Sequence, residues 1–243
     1  MNIDNLNKTI CNEFDAIEEL ESHPERGAEK IQRAMDFEKT ISNYHGPEYT
    51  KLFYNLFKKK CKCKILRFIL RKDFTKRPNA EEFLIAQLNI EEDPIMQAEI
   101  LQLLGHMKSI HTVTIAHDYL KHQNQAHREV ALFVLGWLGT EGDIPLLREH
   151  LLNEEDPHLR ITAASAHRQI AWHFKDLKDA VLQSLKVGFE HEQDDEVLSW
   201  IIAMLGTVAV KNLGIREDKD EPDILHGDLE KAKVKTRKFL ETI

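Results

Sequence analysis

The sequence is poor in residues that break a chain. Ten Gly and seven Pro among 243 residues amount to about 7%, against roughly 12% in average usage. A sandwich or barrel with many turns needs more of both, so long helices are expected. Three cysteines are too few for a disulfide framework, and a reducing cytosol is the expected compartment. No apolar run approaches the roughly 18 residues of a membrane span. The opening Met1-Asn2-Ile3-Asp4 has no basic or apolar leader region and no Gly at the second position, so no membrane contact is expected. A Gly-rich phosphate loop, a nucleophile elbow and a Ser/His/Asp pattern in a strand-turn-helix setting are all missing. No catalytic residue and no cofactor follow from the chain, which is expected not to be an enzyme.

What is present is ample apolar and charged matter. The chain is 42% hydrophobic and 30% charged, enough to bury a core and too apolar for disorder. Its 33 basic and 41 acidic residues leave a formal charge of −8, which makes the whole molecule a poor general binder of nucleic acid. A local basic patch could still act differently.

The chain repeats itself, and a repeat is the most informative pattern a sequence can carry. Four segments align: Asp93–Gly105, Asn124–Gly136, Asp156–Arg168 and Asp194–Gly206. Each opens on Asp or Asn, the preferred N-cap residues, and two continue with Pro, which suits the first helical position. Three close on Leu-Gly, where Gly is expected to take the left-handed helix-ending conformation. Apolar residues between these marks recur at helical spacing, as in Ile100, Leu101, Leu104 or Ile201, Ile202, Leu205.

A second amphipathic helix follows each first one, over residues 110–120, 143–152 and 176–189. Residues 80–90 read as the second helix of an earlier repeat. Its partner is the stripe Leu52, Phe53, Leu56, Phe57, Cys61, Ile65, Phe68, Ile69. One helix pair cannot bury its own apolar face, and stacking pairs solves that. The expected fold is therefore all-α, an α-solenoid of stacked antiparallel helix pairs. Residues 1–243 read as one domain: capping helices over 1–45, a basic helical segment over 46–79, repeats over 80–210, and a loop with a final helix over 211–243. Within the last stretch, 216–223 reads as a polar loop.

The segment Asn124-Gln-Ala-His-Arg-Glu-Val-Ala-Leu-Phe-Val-Leu-Gly136 and the segment Asp156-Pro-His-Leu-Arg160 resemble HEAT repeats of the short, phycobilin-lyase type. The resemblance covers roughly residues 80–210. It keeps the repeat Arg at Arg128 and Arg160, puts Gln97 and Leu198 in its place in the outer repeats, and loses the last Gly at Arg168. The resemblance implies a general binding scaffold. HEAT-repeat deoxyhypusine hydroxylases carry His-Glu pairs just after the repeat Arg to hold iron. The matching positions here are Ala98-Glu99, Glu129-Val130, Ile161-Thr162 and Ser199-Trp200, of which only Glu99 fits.

Charge is unevenly spread. Residues 51–77 hold eleven basic residues and one acid, while 81–200 hold 21 acids and nine bases. The basic segment, with Lys58, Lys59, Lys60, Lys62, Lys64, Arg67 and Arg71, is the alternative binding surface, for phosphate or an acidic partner. Charge runs are more often solvated helix faces. Ten of the thirteen histidines fall between 81 and 200, yet His106, His111, His117, His122 and His127 are five or six apart. Metal ligands on one helix want i and i+4, so no metal site is expected; Cys61-Lys62-Cys63 has the wrong spacing too.

Second helices of such repeats line the concave face, where Thr114, Asp118, Lys121, Arg148, Glu149 and Lys178 are expected. Trp137 aligns with His106, Gln169 and Thr207; polar equivalents mark a partly exposed position, and exposed Trp is enriched at binding hot spots. Trp172 and Trp200 read as packing residues. The expected function is non-enzymatic binding of a protein, a basic one, on the concave face. By resemblance to HEAT-like immunity proteins, the specific expectation is an intracellular immunity protein that neutralises a basic, nuclease-type toxin. The alternatives are a nucleic-acid enzyme of the HEAT-like DNA glycosylase type, which the acidic central repeats disfavour, and a structural adaptor.

Overall fold

The computed structural model describes residues 3–44, 46–59, 63–221 and 223–243. It is all-α apart from one small hairpin. Contacts gather the chain into two compact units, residues 1–109 and 110–243, a division that falls inside the expected repeat segment.

The first unit holds α1 (Ile3–Glu19), α2 (Gly27–Ile41), α3 (Pro47–Lys58), α4 (Lys64–Phe74), α5 (Ala80–Leu88) and α6 (Pro94–His106). α1 and α2 pack on each other and on α4, α3 packs on α4, and α5 on α6. Its core is aromatic: Phe14, Phe37, Phe53 and Phe74 are fully buried. Phe74 sits between Phe57 and Phe83, at centroid distances of 5.9 and 6.2 Å, and Tyr54 meets Phe83 edge-on at 5.5 Å. The stripe from Leu52 to Ile69 is not one continuous helix. α3 ends at Lys58 and α4 starts at Lys64, with Cys63 buried at its N-cap. Cys61 lies outside the described residues, and Phe68, which the spacing assigns to the apolar stripe, is 63% exposed. The break resets the helical phase, so residues that share a face before it do not share one after it.

The second unit holds α7 (Thr112–Leu120), α8 (Gln125–Leu138), α9 (Ile144–Asn153), α10 (Pro157–His173), α11 (Lys178–His191) and α12 (Asp195–Ala209). Then come β1 (Ile215–Glu217), β2 (Leu225–Gly227) and α13 (Leu229–Leu240). First helices pack side by side, α8 on α10 and α10 on α12, and each second helix packs on its neighbours. This is the stacked helix-pair arrangement that the periodicity implies. The second helices start and end within about two residues of the expected bounds.

The capping residues act as expected. Asp93, Asn124, Asp156 and Asp194 each accept a hydrogen bond from the backbone N–H two residues on, at 2.8–3.0 Å. Each satisfies an orphan donor of its first helix. The Leu-Gly glycines do not end helices. Gly105, Gly136 and Gly206 lie within α6, α8 and α12, and the left-handed positions that follow are Lys108 and Val210. At Gly136 the reason is close approach: a Cβ there would stand 3.0 Å from the Ala166 Cα on α10. The second core accordingly rests on small residues, with Ala131, Ala163, Ala164 and Ala166 buried beside Leu132 and Leu135.

The expected polar loop at 216–223 is a hairpin. β1 pairs antiparallel with β2, Ile215 opposite Gly227, and β1 packs on α12. Asp218 ties the connection by accepting from the backbone N–H groups of Asp220 and Glu221 and from His226, at 2.8–3.0 Å. Those bonds hold its carboxyl down at about 2. Three-residue strands of mixed polarity leave no period-two signal to read.

Candidate interaction surfaces

The loop edge of the second unit is built by the repeat arginines. Arg128 on α8 donates to the carbonyls of His122 and Gln123 behind it and to both oxygens of Glu154 ahead of it, at 2.8–3.0 Å. Arg160 on α10 repeats the arrangement one step on, with the carbonyls of Glu154 and Glu155 and the carboxylate of Glu192. In the first unit Gln97 keeps the backbone half of this device, donating to the Glu91 carbonyl at 2.7 Å. Burial opposes ionisation of Glu154, but hydrogen bonds from Arg128 and His150 hold its carboxyl below the usual range. Buried Glu154 therefore works as an internal tie for the loops.

Five exposed acids at this edge or on the second helices beside it have no ion-pair partner among the described residues: Asp118, Glu149, Glu155, Glu190 and Glu196. A cleft of about 570 Å³ opens at the same edge, between α11, α12 and α13. Phe189, Leu198 and Leu240 supply its apolar floor, and Glu190, Asp195, Glu230, Glu241 and the exposed Arg237 its rim. Lys186 is held by the Leu240 carbonyl at 2.8 Å, and Lys233 by Asp195 and Glu230 at 3.0 and 2.8 Å.

The seven expected partner-binding residues are divided between two ends of the second unit. Asp118 and Lys121, at the C-terminal end of α7, are exposed toward the loop edge, and Glu149 is exposed and Arg148 half-buried midway along α9. Thr114 and Lys178 sit instead in the first turns of α7 and α11, and Trp137 in the last turn of α8. α7 is tied to the turn before α9 by His117, which bonds Asp143 at 2.5 Å.

The basic segment is mostly spent on internal pairing within the first unit. Lys58 holds Glu91 at 2.8 Å, Lys59 holds Asp15 at 2.9 Å, and Lys72 holds Glu38 at 2.7 Å. Arg67 and Arg71 converge on Glu99. Arg77 is buried against Asp73, with its guanidinium 4.0 Å from the Phe53 ring centre. Six of the nine described cations here thus have an acidic partner, and Lys51, Lys64 and Lys76 are exposed without one. Lys60 and Lys62 lie outside the described residues. Glu91 also accepts from the Tyr54 hydroxyl; burial and this bond push the phenol up.

No group of three or more His, Cys, Asp or Glu among the described residues could hold a metal ion. The histidines have other work. His167 is fully buried, donating from Nδ1 to the Ala163 carbonyl and accepting at Nε2 from the Ser184 hydroxyl, each at 2.8 Å. Burial drives its imidazole down to about 4. The Ser–His pair is sealed from solvent, so no substrate reaches it.

The structure exposes a residue the sequence assigns to packing. Trp172, at the end of α10, is 50% exposed, and the Arg168 guanidinium lies 4.7 Å from its ring centre. α10 runs on past the repeat end to His173, which places Trp172 beyond the packed part of the helix. Trp137 is half-buried, with Phe133 at 6.3 Å, and Trp200 is half-buried.

Residues 81–168 match the family model for HEAT repeats, which joins the end of the first unit to the start of the second. No curated protein and no solved structure matches the chain.

Proposed function

For a chain that carries HEAT repeats over residues 81–168, we propose non-enzymatic binding of a basic protein, with the acidic loop edge of the second unit as its docking surface. HEAT repeats are helical repeats often used for protein interaction. The observation that carries the reading is the contrast in free charge. Asp118, Glu149, Glu155, Glu190 and Glu196 are exposed and unpaired among the described residues, whereas most cations of the 51–77 segment are neutralised by their own unit. Unpaired surface charge steers an oppositely charged partner and raises its association rate. The neighbouring cleft has an apolar floor and a lining in which five acids outnumber Lys186, Lys233 and Arg237, which suits the stem and head of a Lys or Arg side chain.

The specific role we assign is an intracellular immunity protein that neutralises a basic, nuclease-type toxin. Co-expression with the product of the reading frame directly upstream tests it. Rescue of growth, lost in the Asp118→Lys, Glu149→Lys double variant and kept in Lys59→Glu, Lys64→Glu, supports the reading. A chain that binds duplex DNA through the lysine pair, and no protein through the acids, overturns it in favour of a nucleic-acid function.

A further inference from the structure

The corner between α7 and α8 sets two histidines against each other. Their Nδ1 atoms are 2.8 Å apart, with ring centres at 4.1 Å and planes at 89°. His127 is buried, and the Tyr119 ring of α7 covers it at 4.2 Å. His122 is exposed. Ring nitrogens this close need one proton between them, since two lone pairs or two N–H groups repel. His122 Nδ1 also accepts from the backbone N–H of Asn124 at 3.0 Å. The proton between the rings therefore belongs to His127, and the neutral His122 ring carries its own on Nε2.

His122 Nδ1 cannot take a further proton without losing both of its hydrogen bonds. A proton on His127 would place charge in a buried site, and burial, then His122, hold that ring below its usual range. The pair fixes the path of residues 122–124. That path presents the carbonyls of His122 and Gln123 to Arg128 at 3.0 and 2.8 Å, and Asn124 as the N-cap of α8. α8 packs on α7 and α10. From α7 the corner meets the Tyr119 phenol, pushed up to about 12 by burial and so neutral, with Asp118 and Lys121 exposed at the helix end. On the side of α10, Glu129 pairs with His158, Arg160 with Glu192, and Asp156 accepts from Gln125. Glu154 is taken by Arg128 and His150.

We propose that this pair is an acid-sensitive latch on the loop edge. A proton from water enters at His122 Nδ1 and breaks the hydrogen bonds to His127 and Asn124. The charged ring turns out into solvent, and the chain that Arg128 holds is released. Imidazole suits such a device because its ordinary titration falls within reach of neutral pH. The hydrogen bonds at the corner set the direction: closed when both rings are neutral, open in acid. The latch itself does not rest on the reading of the edge as a docking surface. Where that reading holds, the positive charge gained at the corner also weakens a basic partner in acid.

The test titrates the full chain from about pH 8 to about pH 5, across the imidazole range, and follows ring nitrogens and backbone amides by NMR. At the alkaline end His122 is expected in the Nε2–H form and His127 in the Nδ1–H form. As His122 gains its proton, the Asn124 amide proton should move upfield with the same midpoint. His122→Gln, at an exposed position where folding is not at stake, takes up no proton and should abolish that shift. In a second arm, a Lys-rich synthetic peptide bound at neutral pH should bind about 10-fold more weakly in acid, a usual scale of coupling between sites, and the loss should shrink in His122→Gln. Three outcomes overturn the latch: a proton on Nδ1 of His122 at the alkaline end, an Asn124 amide that ignores the His122 titration, or one that still follows acid in His122→Gln. A peptide bound at neither pH overturns the docking reading instead, and the NMR arm alone then decides the latch.

Discussion

The two units of this chain solve the same problem with different materials. In residues 1–109 the helices are spaced by rings, with Phe53, Phe57, Phe74, Phe83 and Tyr54 filling the gaps. Ion pairs join helices there without a period, as when Lys58 of α3 meets Glu91 and Arg71 of α4 meets Glu99. In residues 110–243 the helices come closer over Gly136 and alanines, and one Arg–Glu device recurs at Arg128 and Arg160. Large side chains fix one packing by shape and need no repetition. Small ones leave identity to the spacing, so loops and caps must recur for neighbouring pairs to match. Free charge differs as well: the first unit pairs six of the nine described cations of residues 51–77 with its own acids, and the second leaves Asp118, Glu149, Glu155, Glu190 and Glu196 exposed without an ion pair.

Core truncation should break the comparison most visibly. Phe53→Ala is expected to cost about 3–5 kcal/mol and Leu132→Ala about 2–5 kcal/mol, as for fully buried side chains. All three tryptophans lie in the second unit, so their fluorescence reports that unit while far-UV circular dichroism reports both. Phe53→Ala should therefore lower the urea midpoint seen by dichroism ahead of the one seen by fluorescence. Coincident shifts would mean that the two units unfold as one.

Removing a cation sharpens the contrast between the pairing schemes. Arg128→Ala leaves buried Glu154 with His150 as its remaining side-chain partner and should cost about 3 kcal/mol, the scale for an uncompensated buried charge. Arg71→Ala leaves Glu99 still held by Arg67, and about 1 kcal/mol is expected. Denaturant titration of the two variants decides, and equal losses would remove the distinction.

Acid should weaken the second unit in particular. The His167 imidazole is held down to about 4 by burial, while in the unfolded chain it titrates near 6.5. The unfolded state thus binds the extra proton between those values. The stability is fully present above about pH 6.5 and declines as pH falls toward 4, by up to about 3 kcal/mol. Thermal melts across that window should lose their slope in His167→Gln. A slope that survives the substitution would assign the effect to other groups, such as His127, whose imidazole is also lowered by burial and then by His122.

Smaller effects test the close approach and the surface pairs. Gly136→Ala puts a methyl against the Ala166 backbone and should cost about 1–3 kcal/mol. Gly142→Ala, where a Cβ meets only the Thr140 hydroxyl at 3.8 Å, is expected to be neutral or stabilising by about 0.5 kcal/mol. Lys59→Ala breaks an exposed pair with Asp15, and the midpoint should move by less than the equivalent of about 1 kcal/mol.

The second unit was the more legible one. Its N-caps, its second helices and its buried Leu132 and Leu135 follow from Asp, Asn and apolar spacing alone, because capping and amphipathicity act within a few residues. That α3 ends at Lys58 and α4 starts at Lys64 was not legible, since no Gly or Pro marks either end. Nor was the hairpin, whose strands are too short to alternate. The Leu-Gly pairs misled: the same glycine serves a helix end or a close helix crossing, and only the neighbour distinguishes them.

For the candidate surfaces the division is sharper still. That residues 51–77 are basic and 81–200 acidic, and that the chain is built of helix pairs, the sequence determined by itself, because composition and periodicity are local sums. Which of those charges remain free, only the tertiary structure decided. Whether Arg67 meets solvent or Glu99 depends on a group 32 residues away, and whether Trp172 enters a core or stays half in water depends on what packs against the end of α10. Pairing and exposure are properties of distance in space, and the chain brings those groups together only when its helices pack.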